Sequence, residues 1–550
     1  MLTRGFMSSS DTRLHFGLDS IAKVDSILII WPDQKFQVIK NVGANQQLVV
    51  KQSDAMPSFT YNNFFPPVKE ELQNISAEIN CDWKHKENDF VDFNVQYLIP
   101  HEESTRGPRV AVGDINNDGL DDFFVCGAKL QPGCLMVQTK DGKFIRADEN
   151  LFIKTDSSEQ VDAVFFDANK DGFLDLYIVS GGNEYPDGNP NLSDRLYINN
   201  GKGHFELANN SLPPLLFNKS CVSVADVDKD GDLDLFVGGL ANAKIYGYPK
   251  SSYLLLNDGK GNFTLADTST INLNQTGIVT SSTFTDINND GWMDLVIAGE
   301  WMPVKIYINN KGVFKETDVP HSTGLWQSLY ATDINGDGFI DLLAGNWGQN
   351  CKLVAGKNGP VKLYVKDFDN NGSVEQVMAY TVDGNEYPFL AKDELERALP
   401  VLKKAYLKYG EVAGKTVQYM FYDLFKDYNE LQAETLSSSL FINDGKGNFT
   451  RKDLPQDLQL APLFSFQRSP NTNSFFAAGN FFGVIPYEGQ YDASALLSFK
   501  TDRNGVANDT KIIETKGEVR DLKWLHTAKY GDILVAAKNN DNLVFYKLNK

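Results

Sequence analysis

Short apolar runs alternate with polar, turn-forming segments along most of the chain. Residues 110–112, 123–125 and 235–237 are typical of these runs, and each has glycine close by. Runs this short, bounded by turn residues, predict β-strands. The strongest apolar run, residues 27–31, is far shorter than the ~20 residues of a membrane-spanning helix. The pattern therefore predicts an all-β protein with no transmembrane segment in this chain.

A polar loop of nine residues recurs six times between these runs. Each copy has oxygen-bearing side chains at positions 1, 3, 5 and 9 and glycine at position 6. Loops one to six begin at Asp114, Asp167, Asp226, Asp286, Asp333 and Asp367. The spacing of the first five loops suits the blades of a β-propeller, whereas loop six follows loop five too closely to start another blade.

The six loops have the chemistry of calcium sites. Ca²⁺ takes six to eight oxygen ligands, and side chains at positions 1, 3 and 5 of a tight loop converge on one point. The carbonyl at position 7 adds a ligand, the acid at position 9 closes the cage, and glycine at position 6 permits the sharp turn. We predict five or six bound Ca²⁺ ions. The predicted ligands are Asp114, Asn116, Asp118, Leu120 and Asp122; Asp167, Asn169, Asp171, Phe173 and Asp175; Asp226, Asp228, Asp230, Asp232 and Asp234; Asp286, Asn288, Asp290, Trp292 and Asp294; Asp333, Asn335, Asp337, Phe339 and Asp341; and Asp367, Asp369, Asn371, Ser373 and Glu375.

The residues around the loops argue against an EF-hand. That site needs a bidentate glutamate at position 12 and a helix on each side. Position 12 is apolar here, being Val125, Ile178, Val237, Ile297, Ala344 or Met378. The flanking runs are β-prone, so the predicted unit is strand, calcium loop, strand.

A second repeated element follows most of the loops. Residues 195–205, 253–263 and 440–449 share an asparagine, a Gly-Lys-Gly turn and a closing phenylalanine, and residues 305–314 are a shortened copy. Asparagine and glycine between β-prone runs are a strong hairpin signal. Each repeat therefore offers about four strands, which is the unit of a β-propeller.

The loops and their Gly-Gly exits, as at Gly238 and Gly239, resemble FG-GAP/VCBS repeats, the calcium-loop repeats of integrin-α-type propellers. The resemblance covers roughly residues 60–550. It implies a seven-bladed β-propeller that binds Ca²⁺ on one rim through the loop positions given above.

The blade count follows from the strand-like runs. Blades one to five are predicted to start near Gly107, Val161, Cys221, Val279 and Trp326. Residues 463–499 and 518–548 supply blades six and seven, which lack the Asp-rich loop and are expected to bind no metal. Residues 91–99 are predicted to supply the missing outer strand of blade seven.

An insertion at residues 376–436 is predicted in blade five, and it is predicted to be helical. Asp393 suits a helix start, and Pro400 breaks or restarts that helix. A second helix is indicated by the spacing of Val417, Met420, Phe421, Leu424 and Tyr428. This apolar stripe either packs on the propeller or forms a groove for a partner.

The N-terminal segment, residues 1–55, resembles the ASPIC/UnbV domain. The resemblance rests on His15-Phe-Gly-Leu18, Val24-Asp25, Trp31-Pro32 and Asn45-Gln46, while Asp19 stands where that family usually has glycine. Short strands are predicted at 26–31, 36–39 and 48–51. The expected organisation is this small β domain at 1–55, a linker at 56–90 and the propeller at 91–550. Since such a domain usually follows a propeller, we expect either a longer two-propeller protein or a misassigned start site.

Composition and charge narrow the functional classes. The net charge is −20 and the pI about 4.8, so the surface repels phosphate backbones and no nucleic acid is expected as a partner. The five cysteines form no CxxC pair, and Cys126 and Cys134 either form a disulfide or stay as buried thiols. Calcium loops of this type suit millimolar calcium, which predicts an extracellular or cell-surface protein whose export signal lies upstream of this chain.

Catalytic signals are weak. The six histidines are scattered, and Glu300, Glu386 and Glu488 are the candidates for a glycosidase or lyase pair. Four tryptophans stack on sugars or pack between blades: Trp292, Trp301, Trp326 and Trp347. We predict no catalytic residues and a calcium-stabilised binding or scaffold protein that recognises a protein or glycan at the cell surface. The alternatives are a calcium-dependent carbohydrate-active enzyme and a structural accessory subunit of an outer-membrane complex. The expected partner surface comprises residues 180–194, 240–252 and 367–437.

Overall fold

The computed structural model describes residues 13–65, 70–79, 81–356, 358–485, 488–514 and 516–549. The chain divides into two compact units, Met1–Glu70 and Glu71–Lys550. Within the described residues, no helix has the length and apolar character needed to cross a membrane. All five cysteines are free thiols, and Cys126 and Cys134 are both buried.

The first unit is built on one antiparallel hairpin, Lys23–Ile30 with Phe36–Gly43. A 3-10 helix, Gln52–Asp54, and a short helix, Tyr61–Phe64, follow. The ring of Phe36 lies 4.9 Å from that of Phe64. This aromatic contact extends the unit past the predicted boundary at residue 55. The predicted strand at 48–51 is not formed, and residues 1–12 lie outside the described residues.

Among its described residues, the second unit has seven antiparallel sheets that share one four-stranded plan. The first strand of each sheet contacts the first strands of the two neighbouring sheets, and the seventh contacts the first. This cyclic packing of four-stranded sheets is the architecture of a β-propeller, so the prediction of an all-β propeller is confirmed. The sheets are called blades one to seven below.

The strand bounds follow the repeats. Blade one comprises Val110–Gly113, Asp122–Val125, Cys134–Gln138 and Phe144–Ala147; blade two comprises Glu159–Phe166, Asp175–Gly181, Arg195–Asn199 and Phe205–Leu207; blade three comprises Lys219–Ala225, Asp234–Gly239, Tyr253–Asn257 and Phe263–Leu265; blade four comprises Ile278–Thr285, Asp294–Met302, Lys305–Asn310 and Val313–Asp318, with Gly324–Leu325 also paired to its second strand. Blade five comprises Ser328–Thr332, Asp341–Gly345, Ser439–Asn443 and Phe449–Asp453; blade six comprises Leu463–Arg468, Ser474–Gly479, Leu496–Thr501 and Ala507–Glu514. The second strands of blades one to six are buried along their whole length, because neighbouring blades cover both of their faces.

Blade seven joins distant parts of the chain. It comprises Glu518–Thr527, Gly531–Asn539, Val544–Leu548 and Leu72–Asn74, and Leu72 pairs with Leu548. The predicted closing strand at 91–99 is therefore wrong, and the strand lies in the segment predicted to be a linker. Leu72 is buried against the core of blade seven, whereas residues 91–99 contain a 3-10 helix, Asp92–Asn94. This closure removes an open sheet edge from the ring.

The insertion in blade five is larger than predicted and is built on a sheet. It occupies residues 346–438, and its four strands are Val361–Lys366, Glu375–Val382, Asn385–Pro388 and Asn429–Ala433. Its helices are Lys392–Ala398, Pro400–Ala405, Tyr409–Glu411, Val417–Phe421 and Tyr422–Leu424. Loop six joins the first two of these strands, so it lies within the insertion and not before it. The predicted helical insertion at 376–436 is corrected accordingly.

The helices of the insertion pack on its own sheet. Val417, Met420 and Phe421 are buried with Tyr364 and Phe368 of the sheet and the adjoining loop. One face of Val361–Lys366 buries Val361, Leu363 and Val365 in a core shared with the ring, and the other face buries Tyr364 beneath the helices. The apolar stripe is therefore core packing and does not form an open groove.

The connections divide between two faces of the ring. In a four-stranded antiparallel blade, the connection from the first strand to the second and the one from the third to the fourth lie at the same end. Loops one to five and the glycine-rich hairpins therefore share one face, which we call the loop face. The connections from second to third strands lie at the other end and include the two-stranded Ala241–Asn242 and Ile245–Pro249 and the insertion of blade five. We call this end the insertion face.

The remaining elements are short. They are the helices Ser76–Ile79 and Glu149–Ile153 and the 3-10 helices Pro190–Leu192 and Gln456–Gln459.

Candidate metal loops and the polar centre of the ring

Position 1 of each Asp-rich loop holds the loop closed. In loop one, Oδ2 of Asp114 accepts the N–H of Gly119 at 2.7 Å, and Oδ1 accepts the N–H of Asp118 at 3.0 Å. The bond from the position 6 glycine recurs in all six loops. Gly119 has φ of +85°, which a residue with a side chain rarely adopts. The repeated glycine is thus a backbone requirement of the turn.

Position 9 ties the start of the loop to the third strand of the blade. Oδ2 of Asp122 accepts the N–H of Ile115 at 3.2 Å, and Oδ1 accepts the N–H of Gln138 in the third strand at 2.7 Å. The same two bonds occur at Asp175, Asp234, Asp294 and Asp341. Burial raises the pKa of Asp122 and of Asp234 to about 7, despite these N–H donors. The ninth residue therefore has a structural role in addition to the ligand role predicted for it.

Carboxylates at positions 1, 3 and 9 converge. In loop three, Asp226, Asp228 and Asp234 each place one oxygen within 4.8 Å of the others, and Asp367, Asp369 and Glu375 do the same in loop six. Within the described residues, Oδ1 of Asp369 is buried and has no hydrogen-bond partner. Oxygen-only donors at this spacing fit Ca²⁺.

Loops one, two, four and five share the glycine turn of loop three but carry asparagine at position 3. Oδ1 of Asn116 accepts the N–H of Asp118 at 3.0 Å, as Oδ1 of Asp228 accepts that of Asp230 at 3.2 Å. The side chain at position 5 bonds to a later part of the loop. Oδ1 of Asp118 accepts the N–H of Leu120, at position 7, at 3.0 Å. The position 5 bond recurs in all six loops. The ligand roles of positions 5 and 7 stay predictions.

An asparagine that was not among the predicted site residues links neighbouring blades. Nδ2 of Asn257, in blade three, donates to the carbonyl of Ala168 in loop two at 2.8 Å and to that of Leu233 in its own loop at 3.1 Å. Its Oδ1 accepts the N–H of Gly259 at 3.2 Å. Asn199, Asn309 and Asn443 make the same pair of carbonyl bonds. We call these residues the bridging asparagines.

Other side chains continue the link around the ring. Nε2 of Gln138 in blade one donates to the carbonyls of Asp121 and of His526 in blade seven, at 2.8 and 3.0 Å. Oγ1 of Thr501 in blade six donates to the carbonyl of Ile334 in loop five at 3.4 Å. Each bridging asparagine is the first asparagine of a repeated hairpin, so the signal was present in the sequence.

Replacing Asn257 with alanine is expected to lower the free energy of unfolding by about 2–3 kcal/mol. The change removes three hydrogen bonds and leaves two buried carbonyls without this donor. Urea unfolding at fixed calcium measures the loss. Asn262→Ala is the matched control, since Asn262 is exposed on the same hairpin and bonds to exposed Asp258. Equal losses in the two variants would contradict the bridging role.

A buried polar network lies toward the insertion face of the ring. Glu300 lies near the end of the second strand of blade four, away from loop four. Its Oε1 accepts from Arg106 at 3.0 Å and from Gln327 at 2.8 Å. Its Oε2 accepts from the Tyr246 hydroxyl at 2.6 Å and lies 3.1 Å from Nε2 of His101.

Two cations balance two carboxylates in this network. Arg106 also pairs with Glu103 at 2.8 Å, and Nδ1 of His101 lies 3.1 Å from Glu103. Burial opposes charge on His101, but Glu300 and Glu103 raise its pKa to about 10. The pKa of Glu300 falls below its ordinary value, because Arg106 and His101 outweigh its burial. The network therefore carries compensated charges that fix residues 101–106 to blades four and five.

The three candidate catalytic glutamates lie in separate surroundings. Glu386 lies in the insertion sheet, where it pairs with Lys362 at 2.6 Å and accepts from the Tyr364 hydroxyl at 2.6 Å. Glu488 lines a cavity of about 300 Å³ with Tyr491, and burial raises its pKa. Among the described residues, no hydrogen-bond network joins any two of the three.

Three of the four tryptophans pack inside the protein. Trp301, Trp326 and Trp347 are buried. Trp292 is half-buried in loop four, and Nζ of Lys229 lies 4.3 Å from the centre of its ring. The packing interpretation is correct for the three buried residues.

These features define a β-propeller assembled from Asp-rich loop repeats. The family model for ASPIC and UnbV matches residues 1–57, and the model for the FG-GAP-like repeat matches residues 114–178, 167–237, 244–297 and 286–344. The chain therefore contains an ASPIC and UnbV domain and at least four FG-GAP-like repeats, as the sequence resemblance predicted.

Solved structures that resemble the chain are distant in sequence. The crystal structure of BBS1N in complex with ARL6DN is 9% identical, covers 85% of this chain and 97% of its own, and has a TM-score of 0.39. The Dos1 propeller is 11% identical, with coverage of 84% and 97% and a TM-score of 0.36. The V. cholerae biofilm matrix protein Bap1 is 10% identical, with coverage of 87% and 91% and a TM-score of 0.34. No curated protein matches the chain.

Proposed function

We propose that this protein is a seven-bladed, calcium-stabilised propeller that binds a protein or glycan at the cell surface without catalysing a reaction. The observation that carries the proposal is the joining of three long connections on the insertion face. Asn183, in the connection of blade two, accepts the N–H of Lys244 in that of blade three at 2.6 Å. Asn429 in the insertion donates to the carbonyl of Gly247 at 3.2 Å. The three connections thus make one continuous surface.

The calcium loops suit the role of a rigid support. Loops one to five lie on the opposite face, and the bridging asparagines connect each of loops one to four to the next blade. A rigid ring presents its connections in one arrangement, which lowers the ordering cost of recognition. Loops of this type are filled at millimolar calcium, so the proposed location is outside the cell.

A non-catalytic role is supported by the surroundings of Glu300. Both of its oxygens are taken by four donors, and its lowered pKa keeps it ionised at neutral pH. A general acid needs a proton to give near the working pH. Glu300 is therefore a poor general acid, and its role is to bind Arg106 and His101 in the buried network.

The test changes solvent-accessible residues of the shared surface. The structure shows that much of residues 183–192 is anchored, since Asn183 donates to Asp92 at 2.5 Å and the Tyr185 hydroxyl donates to the carbonyl of Ser157 at 2.9 Å. Deleting that segment would therefore disturb packing. Asp187→Arg, combined with Lys244→Glu, changes two exposed side chains of this surface with less disturbance.

Binding is measured on purified glycan arrays and on extracts of surface proteins, with calcium and with chelator. We expect the double variant to lose most of the captured material while its melting temperature stays nearly unchanged. Asp258→Arg on the loop face is the control and should bind normally. Full capture by the double variant would place the partner surface elsewhere and refute the assignment.

A further inference from the structure

The insertion carries an exposed basic and aromatic tip, which we define as residues 403–422. Its helices bury Leu402, Val417 and Phe421 against the insertion sheet. Other residues of the tip face away from that sheet: Lys403, Lys404, Leu407, Lys408, Tyr409, Lys415, Tyr419 and Tyr422 are all exposed. Leu407 is 82% exposed and Tyr422 78% exposed, values unusual for residues of this size.

The charge of the tip is opposite to that of the chain. Residues 403–422 contain four lysines and one acid, Glu411, in a chain of net charge −20. Oε2 of Glu411 accepts the N–H groups of Leu407 and Lys408 at 2.7 and 2.8 Å, so that carboxylate caps its own turn. Within the described residues, Lys403 and Lys404 have no ion-pair partner. The tip therefore has more lysines than acids on an acidic protein, and the carboxylates that adjoin it include Asp423 and Asp393, the second of which is hydrogen-bonded to Tyr409.

We propose that this tip docks on the surface of an anionic lipid bilayer. An apolar Leu407 flanked by lysines suits the headgroup boundary, where an apolar side chain enters and lysines meet lipid phosphates. Tyr409, Tyr419 and Tyr422 are amphipathic and favour the same depth. The attachment is peripheral, and it does not depend on the capture of a protein or glycan.

The position of the tip favours this occupant. The insertion leaves blade five on the insertion face, whereas loops one to five lie on the opposite face. Docking through the tip therefore points loops one to five away from an anionic membrane, whereas loop six lies within the insertion, where Phe368 packs on Phe421. A glycan site would instead need carboxylates or amides that bind sugar hydroxyls. The side-chain amide within the tip, Gln418, is already hydrogen-bonded to Glu386.

The test uses the full chain and sedimentation with large unilamellar vesicles. One set mixes phosphatidylcholine with a minor fraction of anionic phosphatidylglycerol, and the other contains phosphatidylcholine alone. We expect binding to the anionic set, little binding to the neutral set, and a fall in binding at about 0.5 M salt. Since each lysine near such a surface contributes about fivefold, Lys403→Glu with Lys404→Glu should weaken binding at least about 25-fold.

A matched control separates the tip from general charge effects. Lys202→Glu with Lys260→Glu makes the same change of charge at exposed hairpins of the loop face and should bind normally. Leu407→Asp should weaken binding, and the fluorescence of Leu407→Trp should shift to the blue on anionic vesicles. Binding that survives both tip variants, or no binding to anionic vesicles, would overturn the proposal. Retention on acidic polysaccharide beads without vesicle binding would also overturn it and assign the tip to a glycan.

Discussion

Calcium added to the chelated protein is expected to raise its melting temperature by about 10 °C or more. A ligand that binds the folded state alone at 100 times its dissociation constant adds about 2.7 kcal/mol per site, and five or six sites act together. Scanning calorimetry before and after exhaustive chelation measures the shift. An unchanged melting curve would contradict the assignment of the loops as calcium sites.

Loop three offers the sharpest variant for this experiment. Asp226→Asn with Asp228→Asn keeps the shape of two converging side chains but removes their charge. We expect one ion fewer by isothermal titration and a smaller calcium-dependent shift. Asp258→Asn is the control, because Asp258 is an exposed acid on the hairpin of the same blade. A full ion count in the loop three variant would exclude that loop as a site.

Replacing Arg106 with methionine is expected to lower the free energy of unfolding by about 3–5 kcal/mol. Arg106 is 13% exposed, and the two carboxylates that it neutralises, Glu103 and Glu300, are almost fully buried. Removing one partner of a buried ion network leaves uncompensated charge, which costs more than the network contributes. Chemical unfolding at constant calcium gives the value.

The control and a rescue variant make this result specific. Arg503→Met removes a cation from an exposed loop and should change stability by less than about 0.5 kcal/mol. Adding Glu103→Gln and Glu300→Gln to Arg106→Met should restore part of the loss, because both acids are then neutral and the buried His101, without the two carboxylates that raise its pKa, stays uncharged. A loss that stays the same in the triple variant would show that packing by the arginine stem, and not charge, is responsible.

Local signals made the repeated blades predictable from sequence. The position 6 glycine and the position 1 aspartate form their turn within a single loop, so Asp114 and Gly119 define loop one without help from the rest of the fold. The hairpins are equally local. Blades six and seven were also located, although the fourth strand of blade six, Ala507–Glu514, extends beyond the predicted end.

Distant pairings were not predictable in the same way. The strand Leu72–Asn74 is very short and has no strong β pattern, and its partner, Val544–Leu548, lies at the opposite end of the propeller sequence. The insertion sheet was not predicted, because its first two strands flank loop six and the sequence pattern places that loop inside blade five. The bridging asparagines were not predicted, because an asparagine in a hairpin turn already has a local explanation. One of the two carbonyls that each of them binds belongs to a different blade.

The pairing of Leu72–Asn74 with Val544–Leu548 sets the order of events during synthesis. At about 5–20 residues per second, roughly half a minute to one and a half minutes separates the appearance of the two strands at the ribosome. During that interval blade seven lacks its third strand, and the early strand has no sheet to join. The closing contact of the ring therefore cannot form until Val544–Leu548 has been synthesised, and Leu72–Asn74 waits for its partner throughout that interval.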